Sequence, residues 1–394
     1  MLFRSGIIKD WTSPKDDFKD FNLTDVTPKQ KNAKILSMKP LSELYINFLI
    51  SSFGKIEMTK LSQILGDNYT HDIFTKKLLL NDEIETDKEL WQCVKPILRK
   101  YENEEDGCLV VDDSLLAKPY SKTNEIINWH YDHTIHRNSK GIMMLNFHYT
   151  DASGISLPVG YEIITKTEDV YDEKKKKWVK KSKFTKNEIM RDKLEILNFH
   201  NGLKYRYILF DKWFGSVENL VFINDVLEKK FVCPLKKNRK VALSREDKIN
   251  GNYVNIADVD TGACSSRLVY LEGYENPLKI TKQVSKDGDD GESIYLYLVT
   301  NDIGLSTNEI LEIYKRRWKI EEYHKSLKQN LKIEHSPTKV ETSQLNHIFL
   351  CACGFIRLEY LRLNHGLNHF AIKERIYIQA LFRAYEEVDK LQSA

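Results

Sequence analysis

Two short apolar runs, CLVVDD (108–113) and KYRYILFD (204–211), each end in carboxylates, and no other feature restricts the fold as tightly. An apolar run bounded by turn signals reads as a strand buried on both faces, as in the middle of an α/β sheet. An acid at the end of such a strand lies at the carboxyl edge of the sheet, where open α/β sheets gather their ligands. Around these runs, KGIMMLNFHYT (140–150), the turn DASG and ISLPVGYEIIT (155–165) predict a hairpin. Thr185 and Glu188 form a capping box that opens a helix. SVENLVFINDVLEKK (216–230) is a second helix and FVCPL (231–235) a fifth strand. Strand, hairpin, helix, strand, helix, strand predicts an α/β fold with a mixed sheet and flanking helices.

At 394 residues the chain implies two or three domains. The boundaries fall at 1–104, a helical region with a candidate DNA-reading pair; 105–235, the first part of the α/β core; 236–300, a β-rich insertion; 301–335, the last core helix; and 336–394, a helical carboxyl-terminal region. Residues 1–22 are polar and read as a loosely held arm. MTKLSQILGDNYTHDIFTKKLLL (58–80) reads as helix, turn, helix, either a DNA-reading pair or a hairpin packed in a core. The insertion combines KKNRK (236–240), Gly-rich turns and short alternating runs such as SIYLYLVTND.

The 60 basic and 57 acidic residues leave a net charge of +3, so contact with nucleic acid has to come from local patches. Six cysteines show neither a CxxC pair nor zinc-finger spacing, which fits a reducing compartment. MLFRSGIIKDW lacks the apolar stretch of a signal peptide, and no run approaches the roughly 18 apolar residues of a membrane span. The expectation is a cytoplasmic protein with no membrane contact. No GxxxxGK[ST] loop or GxSxG elbow occurs, which excludes a nucleotide cofactor and a serine hydrolase on motif grounds.

The segment EIYKRRWKIEEYHKSLKQNLKIEHSP (312–337) carries the chemistry. On a continuous helix Tyr314, Arg317, Glu321 and Lys328 fall within an arc of about 60°. Ile313, Ile320, Leu327 and Leu331 form the adjoining apolar stripe. Glu321 therefore stands at the seam with the core between two cations, a position suited to a hard metal ion and to DNA phosphates.

The spacing Y-x2-R-x3-E-x6-K, the flanking RWKIEEYHKSLK, VVDDS, ILFDKWFG and FVCPLKKNRK resemble bacterial cut-and-paste insertion-sequence transposases of the Asp-Asp-Glu type. The resemblance covers about 105–360 and implies a ribonuclease H-like fold that cuts element ends and joins them to target DNA. It implies Asp112 or Asp113, Asp211 and Glu321 as ligands of two Mg2+ ions, with Mn2+ able to substitute. Tyr314, Arg317 and Lys328 would contact the DNA backbone. His324, Lys325, Lys236, Lys237, Arg239 and Lys240 join them as DNA-binding candidates. The implied partners are double-stranded DNA, in the form of terminal inverted repeats and target, and a second copy of the chain, near the bacterial nucleoid. Some relatives stack a flipped base on a tryptophan of the insertion; no tryptophan lies between Trp213 and Trp318, which leaves Tyr253, Tyr270, Tyr274, Tyr295 or Tyr297.

Two clusters remain. KKKKWVKKSK (174–183) reads as a phosphate-contacting extension or a solvated loop. WHYDHTIHRNSKG (129–141) reads as a turn before the second strand, with Asp132 and His133 as candidates for active-site support.

Overall fold

The computed structural model describes residues 39–393 apart from 67–68, 133–134, 174–175, 262–265 and 286–293. The polar arm and His133 lie outside the described residues. Residues Met38–Ala394 cluster as one compact unit.

The chain enters through α1 (Pro40–Ser51), α2 (Met58–Leu65), a π-helical segment (Ile73–Leu79) and α3 (Thr86–Leu98). The core follows with β1 (Cys108–Ala117), β2 (Ile127–Asp132), β3 (Arg137–Thr150) and β4 (Leu157–Ile163). A separate two-stranded hairpin, β5 (Glu168–Asp172) and β6 (Lys177–Lys181), precedes α4 (Lys186–Glu195), whose capping box at Thr185 and Glu188 is formed as expected. Then come β7 (Tyr207–Phe210), α5 (Val217–Val221) and β8 (Lys230–Leu235).

β1 pairs antiparallel with β3 and parallel with β7, and β7 pairs parallel with β8. Cys108–Val111, Tyr207–Phe210 and Phe231–Leu235 are all buried, which explains their unbroken apolar runs. The far edge of β3 is shared: β2 pairs along its first part and β4 along its second. This is the mixed sheet with flanking helices of a ribonuclease H-like endonuclease fold. The strand β2 is a correction to the turn read within 129–141. Its alternation of buried Asn128 and His130 with exposed Trp129 and Tyr131 is a strand pattern, hidden by the density of polar residues.

The segment after β8 continues the same sheet. It contains β9 (Lys240–Ala242), α6 (Arg245–Ile249), β10 (Val254–Asn255), β11 (Ser266–Leu271), β12 (Leu278–Ser285) and β13 (Ile294–Thr300). β13 lies antiparallel on β8, and the order runs outward through β12, β11 and β9 to β10. α7 (Thr307–Lys315) and α8 (Trp318–Gln329) follow. α9 (Glu341–His365) and α10 (His369–Ser393) end the described chain.

α9 is the hub of the helical layer, packing against α1, α3, α8, α10 and β4. Asn346 donates to the carbonyls of Leu79 (3.0 Å) and Asn81 (2.8 Å), satisfying acceptors that the 73–79 segment leaves open at its end. Phe74, Leu78 and Leu79 are buried, so the second arm of the sequence's helix-turn-helix is packed into the molecule, with Lys76 and Lys77 outward. No helix among the described residues is long and apolar enough to cross a membrane.

Glu359 ties α9 to the sheet. It accepts from the Ser156 amide (2.8 Å), Arg362 Nε (2.8 Å) and His369 Nε2 (3.1 Å) while almost wholly buried. Burial pushes its carboxyl up, but hydrogen bonds from His369 and Arg362 outweigh that and hold it below the usual 4.5. Its folded pKa being the lower one, Glu359 stabilises the fold above pH 4.5, and that contribution fades as pH falls through the depressed value. Glu359→Gln is therefore expected to cost about 3 kcal/mol at pH 7. It should also flatten the acid limb of stability, as read by thermal unfolding at pH 3 to 7.

Candidate functional site

Parallel register sets Val111 opposite Phe210, so the next residue of each strand, Asp112 and Asp211, emerges at the same edge. Alternation along β1 sends Asp112 and Asp113 to opposite faces. Asp112 meets Arg317 at 3.7 Å from α8's amino end, whereas Asp113 is ion-paired with Lys186 at the start of α4. Asp211 is steadied by the Trp213 amide, which donates to its Oδ1 at 2.8 Å in a tight turn that buries Phe214 and leaves Trp213 exposed. Glu321, in the first turn of α8, accepts from Arg317 at 3.0 Å.

The helix read through Tyr314–Lys328 is broken. α7 ends at Lys315 and α8 begins at Trp318, with Arg316 and Arg317 as the joint. Both joint residues keep αR dihedrals, and the apolar stripe survives: Ile313, Ile320, Leu327 and Leu331 are all buried. Tyr314 stays within 5.7 Å of the Arg317 guanidinium. Lys328 is drawn to the sheet, donating to Leu115 O at 3.1 Å and pairing with Glu334 at 3.4 Å.

The carboxylates crowd one another electrostatically. Asp112 is raised to about 7, chiefly by burial, with Arg317 pulling against the rise and Asp113, Asp211 and Glu321 adding to it. Asp211 is raised by burial, opposed by the Trp213 hydrogen bond. His324, one turn beyond Glu321, is lowered to about 3 by burial and then by Lys328 and Arg317, so it is neutral. Its Nε2 lies 3.0 Å from the Asn146 amide nitrogen.

Sequence reasoning missed Asn146 and Lys186. Asn146 is fully buried directly across from Asp112 on β3, and its Oδ1 has no hydrogen-bond partner. An amide inside an otherwise apolar strand was the available signal. Lys186 stood beside the capping Thr185 and carried no signal of its own.

The basic run after β8 flanks the same edge. Lys236, Lys237 and Lys240 are exposed, Lys236 Nζ lies 4.7 Å from the Trp213 ring, and Arg239 donates to Gly215 O at 2.9 Å. Lys325 projects from α8 over Phe370, at 5.1 Å. Asp132 is not brought to this site. It pairs in register with Arg137, while Asp112 faces Asn146, a separation along β3 of about 30 Å at ~3.3 Å per residue. Within the lysine run, Lys177–Lys181 form β6 against the acidic β5: Lys180 pairs with Asp169 at 2.8 Å, which offsets part of its charge, and Trp178 and Tyr171 stay exposed.

Among the described residues no group of three or more His, Cys, Asp or Glu side chains stands ready to hold a metal ion. Asp112, Asp211 and Glu321 do carry hard oxygen donors of the type a divalent cation takes, and repulsion from Asp211 and Glu321 adds to the rise of Asp112.

Two family models match the chain, one described as a transposase DDE domain over residues 182–355 and one as a DDE superfamily endonuclease over residues 76–249. No curated protein matches it. Each model spans less than half of the chain, and together they make it similar to DDE transposase and endonuclease domains.

Because ionised Asp112 is costly here, its raised pKa means that folding stability falls as pH rises from the usual 3.8 towards about 7. In EDTA, Asp112→Asn is expected to stabilise the fold by about 1 kcal/mol at pH 8 and to have little effect at pH 4. Thermal unfolding at the two pH values checks this.

Proposed function

We propose that this protein is a cut-and-paste DNA transposase whose catalytic acids are Asp112, Asp211 and Glu321. The observation that carries the reading is a pair of links: register places Asp112 and Asp211 on neighbouring strands, and Arg317 joins Asp112 to Glu321 of α8. Asp112 is preferred to Asp113 because it shares Arg317 with Glu321, while Asp113 is engaged by Lys186 on the other face. The three would hold two Mg2+ ions, or Mn2+ in their place, and the ions would supply Lewis-acid activation of the phosphodiester.

The chain's own groups do the rest. Arg317, with Tyr314 packed on it, and Lys325 offer contacts for the DNA backbone beside the acids. Lys236, Lys237, Arg239 and Lys240 offer a second track on the Asp211 side. Lys328 and neutral His324 act from within, anchoring α8 to β1 and to Asn146 of β3. The reaction begins with water displacing the 3′-oxygen at the element end. The freed 3′-hydroxyl then attacks target DNA, each step an in-line exchange of one phosphorus–oxygen bond for another. Exposed Tyr377, Leu381, Tyr385, Val388 and Leu391 on α10 support a homodimer. Terminal inverted repeats would be the bound DNA, and the bacterial nucleoid the setting.

Excision from a donor plasmid carrying the gene's native flanks tests this. Wild type is expected to yield repaired donor junctions that EDTA abolishes. Glu321→Gln should yield none while shifting DNA in a gel as wild type does. Junctions from the variant would remove Glu321 from the active site, and cutting without joining would make the protein a nuclease of the same fold.

A further inference from the structure

Arg317 differs from every other cation around the acids. Its guanidinium reaches Glu321 Oε1 at 3.0 Å and Asp112 Oδ2 at 3.7 Å together, and it is largely buried. Lys186 serves Asp113, Lys328 serves Leu115 O and Glu334, and Lys212 and Lys236 lie over the Trp213 ring. Among the described residues, Arg317 is the cation that bridges two of the three catalytic candidates.

A guanidinium in that position satisfies the same oxygens that a divalent ion would use. The two cations would also repel each other at such range, since unit charges about 4 Å apart interact strongly away from bulk water. We propose that Arg317 and a divalent cation compete for Asp112 and Glu321, so that cation binding releases the guanidinium to a DNA phosphate and a phosphate that draws Arg317 away opens the acids to the cation. The inference rests on the three-carboxylate reading above. Its consequence is reciprocal: whatever factor DNA adds to cation affinity, the cation adds to DNA affinity. The site would then assemble its charges only when both are present. A planar fork is needed to hold two carboxylates at once, which a lysine ammonium at the same place would do poorly.

The test is Mn2+ binding to the full chain without DNA, followed by loss of the free-Mn2+ electron paramagnetic resonance signal. Arg317→Gln is expected to bind Mn2+ about tenfold more tightly than wild type, a change of about 1.4 kcal/mol. Arg317→Lys should fall between the two. Lys212→Gln, which removes a nearby charge that bridges no acids, should match wild type. A short DNA duplex should tighten Mn2+ binding more in wild type than in Arg317→Gln. Unchanged or weaker binding by Arg317→Gln overturns the competition, as does a Lys212→Gln gain equal to that of Arg317→Gln with Arg317→Lys at wild-type affinity. If circular dichroism shows Arg317→Gln unfolded, Arg317→Lys decides: affinity equal to wild type overturns the proposal. Wild type that binds Mn2+ and loses it on Asp112→Asn, without response to Arg317, overturns this inference alone. Wild type that binds no Mn2+ overturns the three-carboxylate reading with it.

Discussion

Setting Asp112, midway along β1, beside Asp211, just past the end of the parallel β7, concentrates negative charge where little water can screen it. Register leaves no freedom: once Val111 faces Phe210, the acids must emerge together. The surroundings answer that charge from several directions. Lys186 takes Asp113, the Trp213 amide takes Asp211, and Arg317 spans Asp112 and Glu321. α8 is held against the sheet by Lys328 and His324 on one side, and by Ile320 and Leu327 in the core below. The fold can carry so awkward a cluster because its cost is local and the helical layer behind it is tightly joined.

Much of this was legible in residue order. Apolar runs leading into aspartate marked β1 and β7, because only strands covered on both faces dispense with alternation. The capping box at Thr185 located α4, and the stripe Ile313, Ile320, Leu327, Leu331 oriented Glu321 towards the core. These signals are local, set by backbone hydrogen bonding within a turn or by burial of one face.

What stayed hidden depended on partners far away in sequence. Asn146 gains its meaning from lying across from Asp112, a pairing between strands that no local pattern encodes. The break between α7 and α8 arises where no Pro or Gly announces it. The β-rich insertion at 236–300 was legible from its Gly-rich turns and short alternating runs, but not the strand it pairs with. It extends the core sheet, because β13 pairs with β8 along Leu235 to Val232. Helices of the first hundred residues likewise join α9 rather than standing alone, through contacts such as Tyr45 with His347 at 2.8 Å.

The β13–β8 pairing has one more effect. Ended at β8, the sheet would offer a long apolar strand whose outer amides and carbonyls were open to any passing chain, a template for clumping. Extension moves the rim outward to β10, a strand of two residues, Val254 and Asn255. An interruption of the β8–β13 ladder would therefore show first as a loss of soluble yield in the making of the protein, before any loss of chemistry.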